Sequence, residues 1–156
     1  MRKFSALLLI LTLCLTGCSS KTETAAHSYE DLTIQIPVDY IELTGEKFAE
    51  GLDFVFGCDP IAVNGLREEK ATFEAYGLEL DLQSYGNLLC KANNVQGKLQ
   101  QTESIWNFYY EAGEFTYVVT LWETDDAFWT VQAYCPTENY STAKADMWEI
   151  LSSVTV

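Results

Sequence analysis

Apolar and polar positions alternate from Leu32, with Leu32, Ile34 and Ile36 facing one way until Pro37 stops the run, a pattern that predicts a half-buried strand. Asp53 to Phe56 and Ile61 to Arg67 flank Gly57-Cys58-Asp59-Pro60, a turn-rich tetrapeptide that predicts a hairpin. After Asp81 the spacing lengthens. Leu82, Tyr85, Leu88, Leu89 and Ala92 recur every three to four residues and predict one side of a helix ended by Asn93-Asn94. On that wheel Cys90 projects with Gln83, Gly86 and Asn87, away from the apolar stripe. Three aromatic strands follow, Ile105 to Tyr110, Phe115 to Trp122 and Phe128 to Tyr134, with turns at Ala112-Gly113 and Glu123 to Asp126. Beyond Pro136, the stripe of Tyr140, Ala143, Met147, Ile150 and Leu151 predicts a second helix, and Val154 to Val156 a last short strand. Strands in a meander with helices segregated from them define an α+β domain. The middle strand is apolar at both parities: Phe115, Tyr117, Val119 and Leu121 on one face, Val118 and Trp122 on the other. A mostly antiparallel sheet covered on both faces, one helix on each side, is therefore expected.

Ahead of these elements Arg2 and Lys3 precede Phe4 to Leu15, almost wholly apolar, and small residues lead to Cys18. This is the organisation of a secretory signal peptide, and the run is shorter than the roughly 20 apolar residues of a spanning helix. Leu15-Thr16-Gly17-Cys18 resembles the lipobox of a bacterial lipoprotein. The resemblance implies that residues 1–17 are removed and that Cys18 carries lipid as the new N-terminus. Residues 18–28, polar and small, are expected to form a flexible tether, and 29–156 a single domain.

The chain holds 9 Lys and Arg against 23 Asp and Glu, and Arg2 and Lys3 fall in the leader. Nucleic acid is excluded as a partner by the lack of a basic footprint, and so is side-chain attachment to an anionic membrane, which leaves attachment to the lipid on Cys18. Of five cysteines, Cys14 lies in the leader and Cys18 is the lipidation site. Cys58, Cys90 and Cys135 are either three small buried hydrophobes or one disulfide and a free thiol. Cys58 and Cys135 each stand at a strand end, so theirs is the favoured pairing if a bridge forms. Their spacing contains no zinc motif.

His27 is the single histidine, and it falls in the expected tether, which removes a Ser-His-Asp triad, a Cys-His pair and a multi-histidine metal site. Neighbouring carboxylates remain as candidates for acid and base roles: Glu68-Glu69, Glu111 with Glu114, and Glu123 with Asp125 and Asp126. The last group sits in a turn and could hold a cation weakly, but it lacks the frame of a dedicated calcium loop. Trp106, Phe108, Tyr110, Phe115, Tyr117, Trp122, Phe128, Trp129 and Tyr134 suit a core better than a carbohydrate or protein platform, because they lie on covered strands.

A succession of short strings runs from Leu32-Thr33-Ile34-Gln35-Ile36-Pro37 through Asp53-Phe54-Val55-Phe56, Gly65-Leu66-Arg67-Glu68-Glu69, Leu82-Gln83-Ser84-Tyr85, Ala92-Asn93, Phe108-Tyr109-Tyr110-Glu111 and Asp126-Ala127-Phe128-Trp129 to Val154-Thr155-Val156. In order and spacing it resembles small Gram-positive lipoproteins of the PsbP-like superfamily. The resemblance implies an α/β/α sandwich around an antiparallel sheet. It also implies a fold used mainly for binding, since members include an accessory subunit of photosystem II and a relative that binds the GTPase Ran. It carries over no catalytic residue, cofactor or metal ligand. The resulting expectation is a lipid-anchored, non-enzymatic interaction module on the outer face of a Gram-positive cytoplasmic membrane. The alternatives are a small surface hydrolase using paired carboxylates and an accessory lipoprotein of a transporter or sensor.

Overall fold

Nine strands and three helices make up the computed structural model over the residues it describes, 22–44, 51–95, 100–101 and 105–156. The strands are β1 Thr24–Tyr29, β2 Leu32–Pro37, β3 Ile41–Glu42, β4 Phe54–Cys58, β5 Ile61–Glu69, β6 Gln100–Gln101, β7 Trp106–Ala112, β8 Phe115–Glu123 and β9 Ala127–Pro136. The helices are α1 Lys70–Ala75, α2 Leu82–Ala92 and α3 Tyr140–Ser152, the last entered through a 3₁₀ turn at Thr137–Asn139. Residues 1–17, Cys18 and the start of the expected tether lie outside the described residues.

An antiparallel sheet of seven strands runs in the order β3-β4-β5-β9-β8-β7-β6. The expected hairpin is β4 and β5, and the expected meander is β7, β8 and β9 in register, with Tyr110 opposite Tyr117 and Tyr117 opposite Tyr134. Period-two alternation then sorts the side chains. Val118, Trp122, Trp129, Val131, Ala133 and Cys135 enter one core, which α3 closes with Ala143, Met147, Ile150 and Leu151 and β2 with Leu32, Ile34 and Ile36. Val119, Leu121 and Phe128 enter the other, which α2 closes with Leu82 and Tyr85. Both faces of the sheet are thus covered, as the double parity of β8 predicts. Thr33 bridges Thr155, so the last residues return beside β2.

Three expectations are corrected. First, the ordered chain begins before Tyr29, because Thr24–Tyr29 pairs with β2 as β1. Ala25, His27 and Tyr29 are its half-buried positions, a period-two signal muted by small and polar side chains. His27 meets Phe56 edge to face at 4.6 Å, and Tyr29 stacks on Phe54 at 4.5 Å, so the histidine belongs to the fold and not to a tether.

Second, the buried face of α2 is rotated relative to the expected stripe. Leu82, Tyr85 and Gly86 are buried, Leu88 is exposed, and Cys90 packs beside the second core. Gly86 causes the rotation. A Cβ there would stand 2.0 Å from Cε3 of Trp106, so the missing side chain is what lets the indole lie against the helix. Asp81 caps the helix by accepting from Ser84 N at 2.7 Å, and Glu123 accepts from Leu82 N at 2.9 Å. Tyr85 stacks on Phe128 at 4.4 Å and donates its hydroxyl to Glu68 at 2.6 Å, so the helix is located by packing and by a polar latch together.

Third, Cys58, Cys90 and Cys135 are all free, so Cys58 and Cys135 form no bridge. Cys58 pairs with Ile61 across β4 and β5, and Ala62 pairs with Tyr134 across β5 and β9. One whole strand therefore separates the two cysteines, a gap of about 9–10 Å against the roughly 7 Å that a disulfide can span.

The β1–β2 hairpin is tied to the sheet by charge. Asp31, in its turn, accepts from Trp129 Nε1 at 2.6 Å and lies 3.5 Å from Arg67 Nε. Arg67, with a side chain only 13% exposed, also pairs with Glu69 and with Asp126 at 2.8 Å, while its backbone N–H donates to Asp53 at 2.6 Å. Lys70 extends the cluster to Glu123 at 2.8 Å.

Replacing Gly86 by Ala should destabilise the protein by about 1–3 kcal/mol, because overpacking against Trp106 outweighs the roughly 1 kcal/mol of helix propensity gained. Urea unfolding of the two proteins measures this, and a more stable variant contradicts the close approach. Partial burial works to raise the Asp31 carboxyl, but hydrogen bonds from Trp129 and Thr124 and the charge of Arg67 prevail and hold it below the ordinary range. A lowered folded value stabilises above the unfolded value of about 4, and that contribution disappears as pH falls through the folded one. Asp31→Asn, which retains an acceptor for the indole, should therefore flatten part of the acid limb of the stability profile. Alkylation of the denatured, unreduced protein should label Cys58, Cys90 and Cys135 alike in peptide mass mapping.

Candidate functional site

A groove with a cavity volume of about 450 Å³ opens where the start of β1, the end of β2, the β4–β5 turn and the exposed side of α3 meet. Each wall follows from a local feature of the sequence. Pro37 ends β2, Val38 N still donates to Glu23 O at 3.0 Å, and a turn closed from Tyr40 N to Pro37 O at 3.0 Å sets Asp39 and Tyr40 in the lining. Asp59-Pro60, joined by a cis peptide bond, forms the two-residue turn between β4 and β5 and projects beside them. On α3 the core stripe of Ala143, Met147 and Ile150 leaves Asp146 and Glu149, three residues apart, on the outward side facing the groove. Ser153 receives a hydrogen bond from Gln35 N at 3.0 Å, which closes the seam between helix and hairpin.

The lining mixes apolar Pro37, Pro60, Ile61 and Ile150 with uncharged polar Gln35 and Ser153, and its exposed Asp39, Asp59, Asp146 and Glu149 make an acidic rim. Among the described residues that line the groove there is no lysine or arginine. The field this creates registers on its neutral groups. Burial, then the neighbouring Cys58, Asp146 and Asp39, push the Tyr40 phenol well above its usual range. Burial and Asp39 and Asp59 push the Cys58 thiol up, and Cys58 donates to Asp39 Oδ2 at 3.7 Å. A thiol held protonated is a poor nucleophile. Among the described residues no three His, Cys, Asp or Glu side chains are grouped to hold a metal ion.

The carboxylates singled out in the sequence go elsewhere. Glu68 and Glu69 are neighbours on a strand and point to opposite faces, Glu68 to Tyr85 and Glu69 to Arg67. Glu123 is taken by Lys70 and the start of α2, and Asp126 by Arg67, so the turn between β8 and β9 spends its charge on internal cations. Glu111 and Glu114 stand exposed beside the β7–β8 turn, outside the groove. Nothing in one stretch of sequence joins Asp39, Asp59 and Asp146; the local signal is the pair Asp146 and Glu149, three residues apart on the polar side of a helix.

The aromatic residues are mainly core. Trp106, Phe108, Trp122, Phe128 and Trp129 are buried, while Tyr109 and Phe115 are exposed. Tyr110, Tyr117 and Tyr134 form a ladder across β7, β8 and β9, with ring centroids 4.8 and 5.1 Å apart. Burial and the adjacent Tyr117 push the Tyr110 phenol up to about 12. Because these rings stack on one another, the faces on which a sugar would lie are already occupied, and the ladder presents ring edges.

No protein-family model and no curated protein matches this chain. Among solved structures, 15 chains match. One is the solution structure of cyanobacterial PsbP (CyanoP) from Synechocystis sp. PCC 6803, at a TM-score of 0.64 and 12% identity, with 92% of this chain and 98% of that chain covered. At this identity the likeness is one of fold, and the fold of this chain is PsbP-like, an α+β sandwich around an antiparallel sheet.

Proposed function

We propose that this chain is an extracytoplasmic binding module, anchored through lipid on Cys18 to the outer face of the cytoplasmic membrane of a Gram-positive bacterium, and that it holds its ligand in the groove without covalent chemistry. The groove carries this reading. Its volume is within the range of ligand sites, apolar side chains make up part of its lining, and its charged groups are gathered at exposed positions. Its one thiol is held protonated, and the single histidine packs against Phe56 in the fold. The hydrolase alternative needs two carboxylates converging on one bond. The pairs singled out in the sequence point to opposite faces, are bound to Arg67 and Lys70, or stand exposed beside a turn, and the groove's own acids come separately from two turns and from α3.

The anchoring reading rests on Leu15-Thr16-Gly17-Cys18 at the end of an apolar run. It agrees with the lack, among the described residues, of a helix long and apolar enough to cross a membrane. Two or three acyl chains hold a protein to a bilayer far more firmly than one, at about 0.8 kcal/mol per buried CH₂. Chain order also gives the groove a position: Thr22 and Thr24 line it, a few residues beyond Cys18, so the proposed anchor would keep it within a short reach of the membrane surface.

Cell fractionation of the wild type and of Cys18→Ser tests the anchoring. The wild type should sediment with membranes and carry added lipid mass on a chain that starts at residue 18, and the variant should carry none. A wild-type protein found wholly in the medium without lipid mass would refute the reading.

A further inference from the structure

We propose that the groove takes a linear aliphatic polyamine, with the methylene chain on its apolar lining residues and the ammonium groups at its rim. This rests on the reading of the groove as the ligand site and names the class of ligand. Three features of the groove select that chemistry. Pro37, Pro60, Ile61 and Ile150 in the lining suit methylene groups, and the half-buried Gln35 and Ser153 beside them are uncharged. The rim carries four carboxylates and, among its described residues, no internal cation, whereas Glu69, Glu123 and Asp126 elsewhere in the chain are paired with Arg67 and Lys70. The rim carboxylates are also dispersed. Asp39 and Asp59 come from the two turns and Asp146 and Glu149 from α3, and no three of them converge as a metal ion requires. Charges set apart around a partly apolar lining complement a cation whose charges are set apart along an apolar chain. The volume, about 450 Å³, accommodates such a molecule.

Ammonium groups in the groove would be attracted by the rim acids, so binding should stabilise the folded state and weaken with added salt. A bound amine would also bring positive charge beside Tyr40, whose phenol is raised partly by Asp146 and Asp39, and should lower its apparent titration point.

The test is isothermal titration of the full chain in a non-ionic detergent with spermidine, and with pentalysine in parallel, at low and moderate salt. Spermidine should bind saturably at one site per chain. Asp146→Asn with Glu149→Gln, both exposed positions, should weaken binding about tenfold. Glu111→Gln with Glu114→Gln, which neutralises two acids away from the groove, should leave it unchanged. Equal loss in both double variants, or equal competition by magnesium at matched ionic strength, would overturn the proposal as a general charge effect. Pentalysine binding that depends on Asp146 and Glu149, without spermidine binding, would overturn the polyamine and leave the groove as a ligand site. If neither probe binds in a groove-dependent way, the reading of the groove as the binding surface falls as well.

Discussion

A guanidinium enclosed by carboxylates sets the geometry of this protein. Arg67 is mostly buried in a chain with a large excess of acid, and Asp31, Glu69 and Asp126 surround it while Asp53 holds its backbone N–H. The guanidinium thus joins β5, which carries Arg67 and Glu69, to the β1–β2 turn and the β8–β9 turn, and the backbone N–H of the same residue adds the position ahead of β4. An exposed ion pair is worth at most about 1 kcal/mol, but a shielded charge with several partners resists removal, because deleting it leaves its carboxylates to repel one another. Asp31 serves in both directions, as the counter-ion of Arg67 and as the acceptor of the buried Trp129 indole. The hairpin is therefore seated over the first core by a polar contact whose failure would expose an unpaired donor.

The groove is a consequence of that seating. With its turn held at Arg67, the hairpin places the far ends of β1 and β2 against α3, and the space between them and the β4–β5 turn is the cavity. The two ends of the hairpin thus differ in electrostatic state. At the turn, acids are matched by Arg67 and Lys70; at the open end, Asp39, Asp59, Asp146 and Glu149 line the groove with no lysine or arginine among its described residues. Among the described residues Arg67 and Lys70 are committed to internal pairs at the turn, and no lysine or arginine lines the open end, where the acidic charge would favour an incoming cation.

What the sequence discloses of this arrangement follows the range of the physics involved. Strands with a clear period of two, such as Leu32, Ile34 and Ile36, and the α3 stripe of Ala143, Met147, Ile150 and Leu151, announce themselves, since the pattern is a direct projection of burial. β1 escapes notice because Ala25 and His27 are weak hydrophobes whose burial comes from pairing with β2 and from Phe56. The rotation of α2 is equally unreadable, because it depends on Trp106, distant in sequence, settling on Gly86. Cys58 and Cys135 look like partners when only strand ends are counted, and only the sheet order, which inserts β5 between them, separates them. The groove assembles its acids from two turns and a helix, and no window of sequence contains them.

The residues that make the fold and those that make the groove are largely different sets, and this separation bears on function. Leu32, Phe54, Phe56, Trp129, Val131 and Met147 are buried and determine the sandwich. Asp39, Asp59, Asp146 and Glu149 are exposed, on turns and on the polar side of a helix, and contribute no area to either core. A substitution at the rim alters the charge of the groove at little cost in stability, whereas the depth of the groove is held by Ile61 and Ile150, which belong to the core. On the proposed reading, then, the core holds the cleft open and the rim would set which ligand enters it. That is why a PsbP-like fold does not name a ligand for this chain, whereas four carboxylates with no lysine or arginine among the described lining residues are the ground on which a positively charged one is proposed.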